Sequence, residues 1–142
     1  MRPLFAATVL LAACFVASAA VALQDPDEKV TATFETLGTG IVGDVTLKQY
    51  GDPGQFGDPG MRVQLHANLK GLEPNTQYAA VIYTDPNMTC GAGTSTQILT
   101  FTANPAGVAT WNAKTSLTLA QIGSIGIIQG GTLAACAAVV PQ

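Results

Sequence analysis

Residues able to do acid–base, nucleophilic or metal chemistry are few in this 142-residue sequence, which has one His, three Cys and nine Asp and Glu. His66 shares its alternate positions with Arg62, Gln64 and Asn68. That spacing puts it on the polar face of a strand, where a half-exposed, hydrogen-bonded ring is the expected state. A nucleophile needs a base, and no Ser or Asp stands at a spacing that pairs it with His66. A glycosidase needs two opposed carboxylates. Glu35, Asp44, Glu73 and Asp85 are available, and nothing singles out a pair. The Gly-rich stretches do not open helices, so they form no phosphate cradle. Gly51-Asp52-Pro53-Gly54 recurs as Gly57-Asp58-Pro59-Gly60. Its two carboxylates fall short of the six to eight oxygens of a calcium site, and paired tight turns are the expected form. No catalytic residue and no metal ligand emerges from these spacings. Asn87-Met88-Thr89 is an N-glycosylation sequon, with Asn87 as the candidate acceptor in a eukaryotic secreted protein.

The first segment reads as an address. Arg2 is its only charge, Leu4 to Val16 is an apolar run of 13 residues broken only by Thr8, and Ala20-Val21-Ala22 is a small-x-small cleavage site. Residues 1–22 are therefore expected to be a secretory signal, whose apolar run is too short to span a bilayer comfortably. An alternative is bacterial lipoprotein anchoring through Cys14, in the box Leu11-Ala12-Ala13-Cys14, although Phe15 and Val16 keep the following stretch apolar. Removing residues 1–22 leaves five basic against nine acidic residues, a net charge of −4. With no basic run, nucleic acid is not an expected partner. The 48% hydrophobic and 11% charged content excludes a disordered chain. Two cysteines also remain, Cys90 and Cys136. In an oxidising compartment such a pair reads as one disulfide, the other reading being two buried thiols.

Positioning any of these groups falls to strands. Val30–Leu37, Ile41–Tyr50, Met61–Leu69, Gln77–Thr84, Gln97–Thr102, Val108–Ala113, Ile125–Gln129 and Leu133–Val140 are apolar or β-branched runs bounded by Gly, Pro and Asn. Met61 to Leu69 alternates cleanly, and Gln97 to Thr102 does not. Asn104-Pro105-Ala106-Gly107 is expected to turn a hairpin joining Gln97–Thr102 to Val108–Ala113. Residues 23–29 are polar and acidic and are expected to be a loose tail. The one helical competitor is Ser116 to Ile122. Eight short strands predict an all-β antiparallel sandwich or barrel, one domain over residues 30–142.

The order of these segments resembles the copper/zinc superoxide dismutase family. Leu37-Gly38-Thr39-Gly40-Ile41-Val42-Gly43-Asp44-Val45 resembles its opening hairpin, and Arg62 to Pro74 resembles its third strand and the Gly-Leu-x-Pro turn that follows. Asn104 to Ala109 is similar to its Asp-Gly-Val-Ala hairpin, and Gly130 to Val139 to its closing strand. Cys90 falls where the family has the other disulfide cysteine. The resemblance implies an eight-stranded Greek-key β-barrel. It also implies metal ligands that are missing. Ala80 and Ile82 fall at the family's His-x-His copper positions, Gly91–Thr96 replaces the zinc loop, Gln129 falls near the last copper His, and Leu133 takes the place of the active-site Arg. One His cannot supply a copper site within one chain.

Two readings follow. The first is a secreted member of this fold without metal, cofactor or dismutase activity, acting as an extracellular binding or structural module. The second is a superoxide dismutase or copper-binding protein with an unconventional or inter-chain metal site. If the former copper strand keeps the family's facing, Ala79 and Val81 point inward while Tyr78, Ala80 and Ile82 point outward. A protein partner or a second copy of the chain would then cover a face around Tyr78, Ile82 and Gln129. The competing expectation is that loops such as Gly91–Thr96 fold over that face.

Overall fold

The computed structural model describes residues 27–50, 60–85, 87 and 89–140. The expected signal, with Cys14, and all but Gly60 of the Gly-Asp-Pro-Gly repeat lie outside the described residues.

Eight strands form: β1 (Asp27–Thr36), β2 (Val42–Tyr50), β3 (Val63–Lys70), β4 (Gln77–Tyr83), β5 (Ser95–Thr102), β6 (Ala109–Thr115), β7 (Ser124–Gln129) and β8 (Thr132–Ala138). The helical competitor reduces to one 3-10 turn, Leu119–Gln121, whose N-terminal Thr118 N–H donates to the Gln121 side chain at 2.8 Å. All pairings are antiparallel, in one nearly closed barrel-like sheet of order β5-β4-β7-β8-β1-β2-β3-β6. β1 begins at Asp27, paired with Tyr50, so residues 27–29 belong to the sheet and not to a loose tail. A ladder needs only backbone donors and acceptors on its partner, and β2 extends far enough to offer them.

On β3 the alternation reads as expected: Val63, Leu65, Ala67 and Leu69 are buried, while His66, Asn68 and Lys70 are exposed. On β4 the expected facing is reversed. Tyr78, Ala80 and Ile82 are 2%, 0% and 0% exposed and belong to the core, and Ala79, Val81 and Tyr83 take the outer side. The apolar run of β4 has no period of its own to set its phase, so the neighbours decide it. The Tyr78 ring stacks on Phe101 with centroids 5.6 Å apart, and Phe101 in turn lies 6.1 Å from Trp111.

β5 failed to alternate for a local reason. Ala80 pairs with Leu99 and Val81 with Gln97, so Ile98 is the extra residue of a β-bulge. Ile98 and Leu99, adjacent in sequence, can therefore both pack against the core. The hairpin expected between β5 and β6 is not formed. The turn is present, with Gly107 N–H donating to the Asn104 carbonyl at 2.9 Å and the Asn104 side chain accepting from Ala106 and Val108. Past it the strands diverge: β5 pairs with β4 and β6 with β3, leaving them at the two ends of the sheet. An Asn-capped turn reverses the chain without specifying which strand edges will meet.

Candidate functional site

Three connections gather at one end of the barrel. Gly71 opens the β3–β4 turn at φ 73°, and a Cβ there would collide with the Gly40 carbonyl oxygen of the β1–β2 turn. Only glycine allows both the left-handed backbone and this approach. The next residue, Leu72, donates its N–H to Gly107 at 3.0 Å, which ties in the β5–β6 turn. On the β1–β2 side, the Thr36 hydroxyl accepts the N–H groups of Thr39 and Gly40, and the Thr39 hydroxyl donates to the Ala134 carbonyl at 2.8 Å.

These connections frame a cleft of about 310 Å³ lined by Gly38, Thr39, Ile41, Gly71, Glu73, Tyr78 and Gln129. The Glu73 N–H donates to the Tyr78 hydroxyl at 2.8 Å, and the Gln129 amide donates to the Glu73 carboxylate at 2.8 Å. A phenol buried at its base, a carboxylate and an amide at its rim and a hydroxyl on one wall can hold a small polar molecule by hydrogen bonds. Among the lining residues there is one carboxylate and no imidazole, so they form neither a carboxylate pair nor a base–nucleophile pair.

The structure thus brings together Tyr78 and Gln129, two of the three expected interface residues, but around Glu73 and not on an outer surface. Ile82 is separate from them, fully buried in the core. Glu73 was visible in the sequence only as one carboxylate among several. Its position in the Gly71–Thr76 turn, beside an obligate glycine, is the signal that distinguishes it.

The outer face of β4 is partly covered by the chain itself. Cys90, in the β4–β5 connection, is joined to Cys136 on β8, with Cα atoms 5.9 Å apart. Cys136 lies opposite Gly126 of β7. A Cβ on Gly126 would meet the Tyr83 ring, Leu133 and Val81, so these side chains close over that glycine. Gly91 of the clasped connection sits against Leu133, and Gly93 against the Asp85 backbone. The covered side carries Val81 and Tyr83; it is not the Tyr78 and Ile82 side over which loops were expected to fold. Beyond it a shallower groove of about 350 Å³ remains, lined by Gln77, Tyr78, Ala79, Gln97, Thr100, Ile128, Gly130 and Gly131. Asn87 is exposed in the same connection, its N–H donating to the Asp85 carboxylate at 3.1 Å.

His66 is exposed on the outer side of β3. Its Nδ1 lies 2.7 Å from the Asn112 side-chain oxygen and its Nε2 3.4 Å from the Asn68 amide, within a cross-strand polar network that Thr110 joins. Among the described residues, no group of three or more His, Cys, Asp or Glu comes together. Among the described residues, therefore, the donors the resemblance would require are not assembled into a copper or zinc centre. No helix among the described residues is long and apolar enough to cross a membrane. No protein-family model matches the chain, and no curated protein matches it.

Proposed function

We propose that this chain is an exported β-barrel of superoxide dismutase-like type that keeps the fold's frame without its metal chemistry, and that it serves as an extracellular binding or structural module. The observation that carries this reading is the strand β4. Its inner side bears Tyr78, Ala80 and Ile82 and its outer side Ala79, Val81 and Tyr83, so neither side offers the imidazoles that a copper strand needs. Two further features support the family reading. The sheet sets β3 beside β6 and β4 beside β7, the non-sequential neighbours of Greek-key connections. The Cys90–Cys136 bond ties the β4–β5 connection to the last strand, as the resemblance implies. A disulfide also suits the oxidising compartment to which residues 1–22 would direct the chain.

A binding role centres on the cleft at Glu73, Tyr78 and Gln129. The face first expected to receive a partner is not available at Tyr78 and Ile82, whose side chains are packed inside this chain. Metal analysis and a superoxide dismutation assay on the purified protein, before and after incubation with copper and zinc salts, test the reading. The expected result is substoichiometric metal and no dismutation above the buffer rate. Stoichiometric copper with dismutation activity would overturn it and establish the inter-chain or unconventional site instead.

A further inference from the structure

The cleft of Glu73, Tyr78 and Gln129 is uneven in what it offers a ligand. Glu73 is the one charged residue of its lining. The Gln129 amide donates to one oxygen of that carboxylate, and the other oxygen has no hydrogen-bond partner among the described residues. Lys70, three residues earlier, is exposed and makes no ion pair with Glu73. The Gln129 side-chain carbonyl oxygen is likewise unpaired among the described residues. At the base, Tyr78 is 2% exposed, and its hydroxyl accepts the Glu73 N–H at 2.8 Å. That bond occupies a lone pair and leaves the phenolic proton, for which the described residues supply no acceptor. Buried polar groups are as a rule fully bonded, so an acceptor inside the cleft would complete Tyr78. The cleft therefore presents one O–H donor from within and an anionic, acceptor-rich rim. The bond between Glu73 and Tyr78 keeps the two close together. The connections that frame it, residues 37–41, 71–76, 103–108 and 130–131, are all among the described residues.

We infer that the cleft takes a small primary ammonium compound with an oxygen acceptor beside its amine, an amino alcohol either free or within a 2-amino sugar. The ammonium carries donors only, and it meets the free Glu73 oxygen and the Gln129 carbonyl, which are acceptors only. Such a charge-assisted bond is about twice as strong as a neutral one. The ligand's neighbouring oxygen accepts from the Tyr78 hydroxyl. A volume of about 310 Å³ is at the small end of ligand sites and suits a molecule no larger than a monosaccharide. An anion is disfavoured because no basic side chain lines the cleft. A divalent cation is disfavoured because a single carboxylate falls short of the oxygen set such an ion gathers. A neutral sugar is disfavoured because it leaves the carboxylate without a counter-charge, and the one aromatic ring of the lining is stacked on Phe101. The inference rests on the reading of this chain as a binding module and names the ligand class of that site.

The test is an amide NMR titration of the isotope-labelled protein with glucosamine, ethanolamine, glucose and N-acetylglucosamine, in an amine-free buffer. Expected are saturable shifts centred on Gly38, Thr39, Gly71 and Glu73 with glucosamine or ethanolamine, at millimolar Kd, and none with glucose or N-acetylglucosamine. Either amine fulfils the inference, and the tighter one identifies the source. Glu73→Gln should weaken binding by about tenfold or more. Tyr78→Phe, which keeps the stacked ring, should weaken it by about two- to tenfold, and Lys70→Gln should stay within about twofold of wild type. Circular dichroism checks that each variant folds; Glu73→Gln, a same-size change at an exposed residue, keeps the test open should Tyr78→Phe not fold. Absence of these shifts, equal shifts with glucose, or unchanged affinity in Glu73→Gln would each overturn the inference. Copper-dependent dismutation in a protein that still binds the amine would sink the metal-free reading alone. A metal-free, inactive protein without amine binding would sink this inference alone.

Discussion

Ile82 is where the inward facing of β4 has its sharpest consequence. Its side chain is fully buried between the sheet halves, opposite Ile125 in the ladder. Truncation to Ala should cost about 2–5 kcal/mol, because the lost transfer energy adds to that of an incompletely closed cavity. An Ile82→Asp change should leave no folded protein at neutral pH, since a carboxylate there would be buried without a partner. A cooperative urea transition for Ile82→Asp near that of wild type would refute the facing. Ser124 makes the opposite case. It is 0% exposed, and its hydroxyl has no hydrogen-bond partner among the described residues. An unsatisfied buried hydroxyl costs about 1–3 kcal/mol, so Ser124→Ala should leave stability unchanged or raise it by about 1 kcal/mol. A loss of stability in the same urea titration would show that the hydroxyl is bonded in solution.

At the scale of strands, the sequence is legible wherever one face is polar and one apolar. Met61 to Leu69 shows this: its alternation names both faces of β3, and the structure follows it residue by residue. β4 and β5 were less legible for different reasons. In β4 every residue from Tyr78 to Tyr83 is apolar or aromatic, so the sequence carries no phase, and contacts with Phe101 choose it. In β5 the bulge at Ile98 breaks the period of two, a local event that a periodic pattern cannot encode. The cleft was legible only in part, because its residues come from two separate turns and from the strands β4 and β7, which the topology alone brings together. The end positions of β5 and β6 lead to a testable difference in protection. On one side each of these strands lacks a ladder partner, whereas β4 and β7 are paired on both sides. Hydrogen exchange should therefore find the alternate amides of β5 that point away from β4 exchanging much faster than any in Ile125–Ile127. Uniform protection along β5 would mean that the barrel closes in solution, or that another chain completes it.

For the whole molecule the governing feature is a barrel with one open seam, stapled on the opposite side. β8 lies third from β5, and the Cys90–Cys136 bond fastens the connection leading into β5 back onto β8. The bond therefore spans β4 and β7 and holds in place the strand that has a partner on only one edge. With a sequence separation of 46, it restricts the unfolded chain by about 4 kcal/mol in the loop-entropy model. Set against a total of about 5–15 kcal/mol for a domain, that is a large share. Reduction, or a Cys90→Ser/Cys136→Ala variant, should lower Tm by roughly 10–20 °C and should loosen β5 before the rest of the barrel. Thermal unfolding with and without reductant, followed by exchange measurements on the reduced protein, reads both effects. Equal Tm values in the two states would show that the barrel holds its shape without the staple. A fall in Tm with β5 still protected would place the lost stability in the unfolded chain alone, with no role for the bond in closing the sheet.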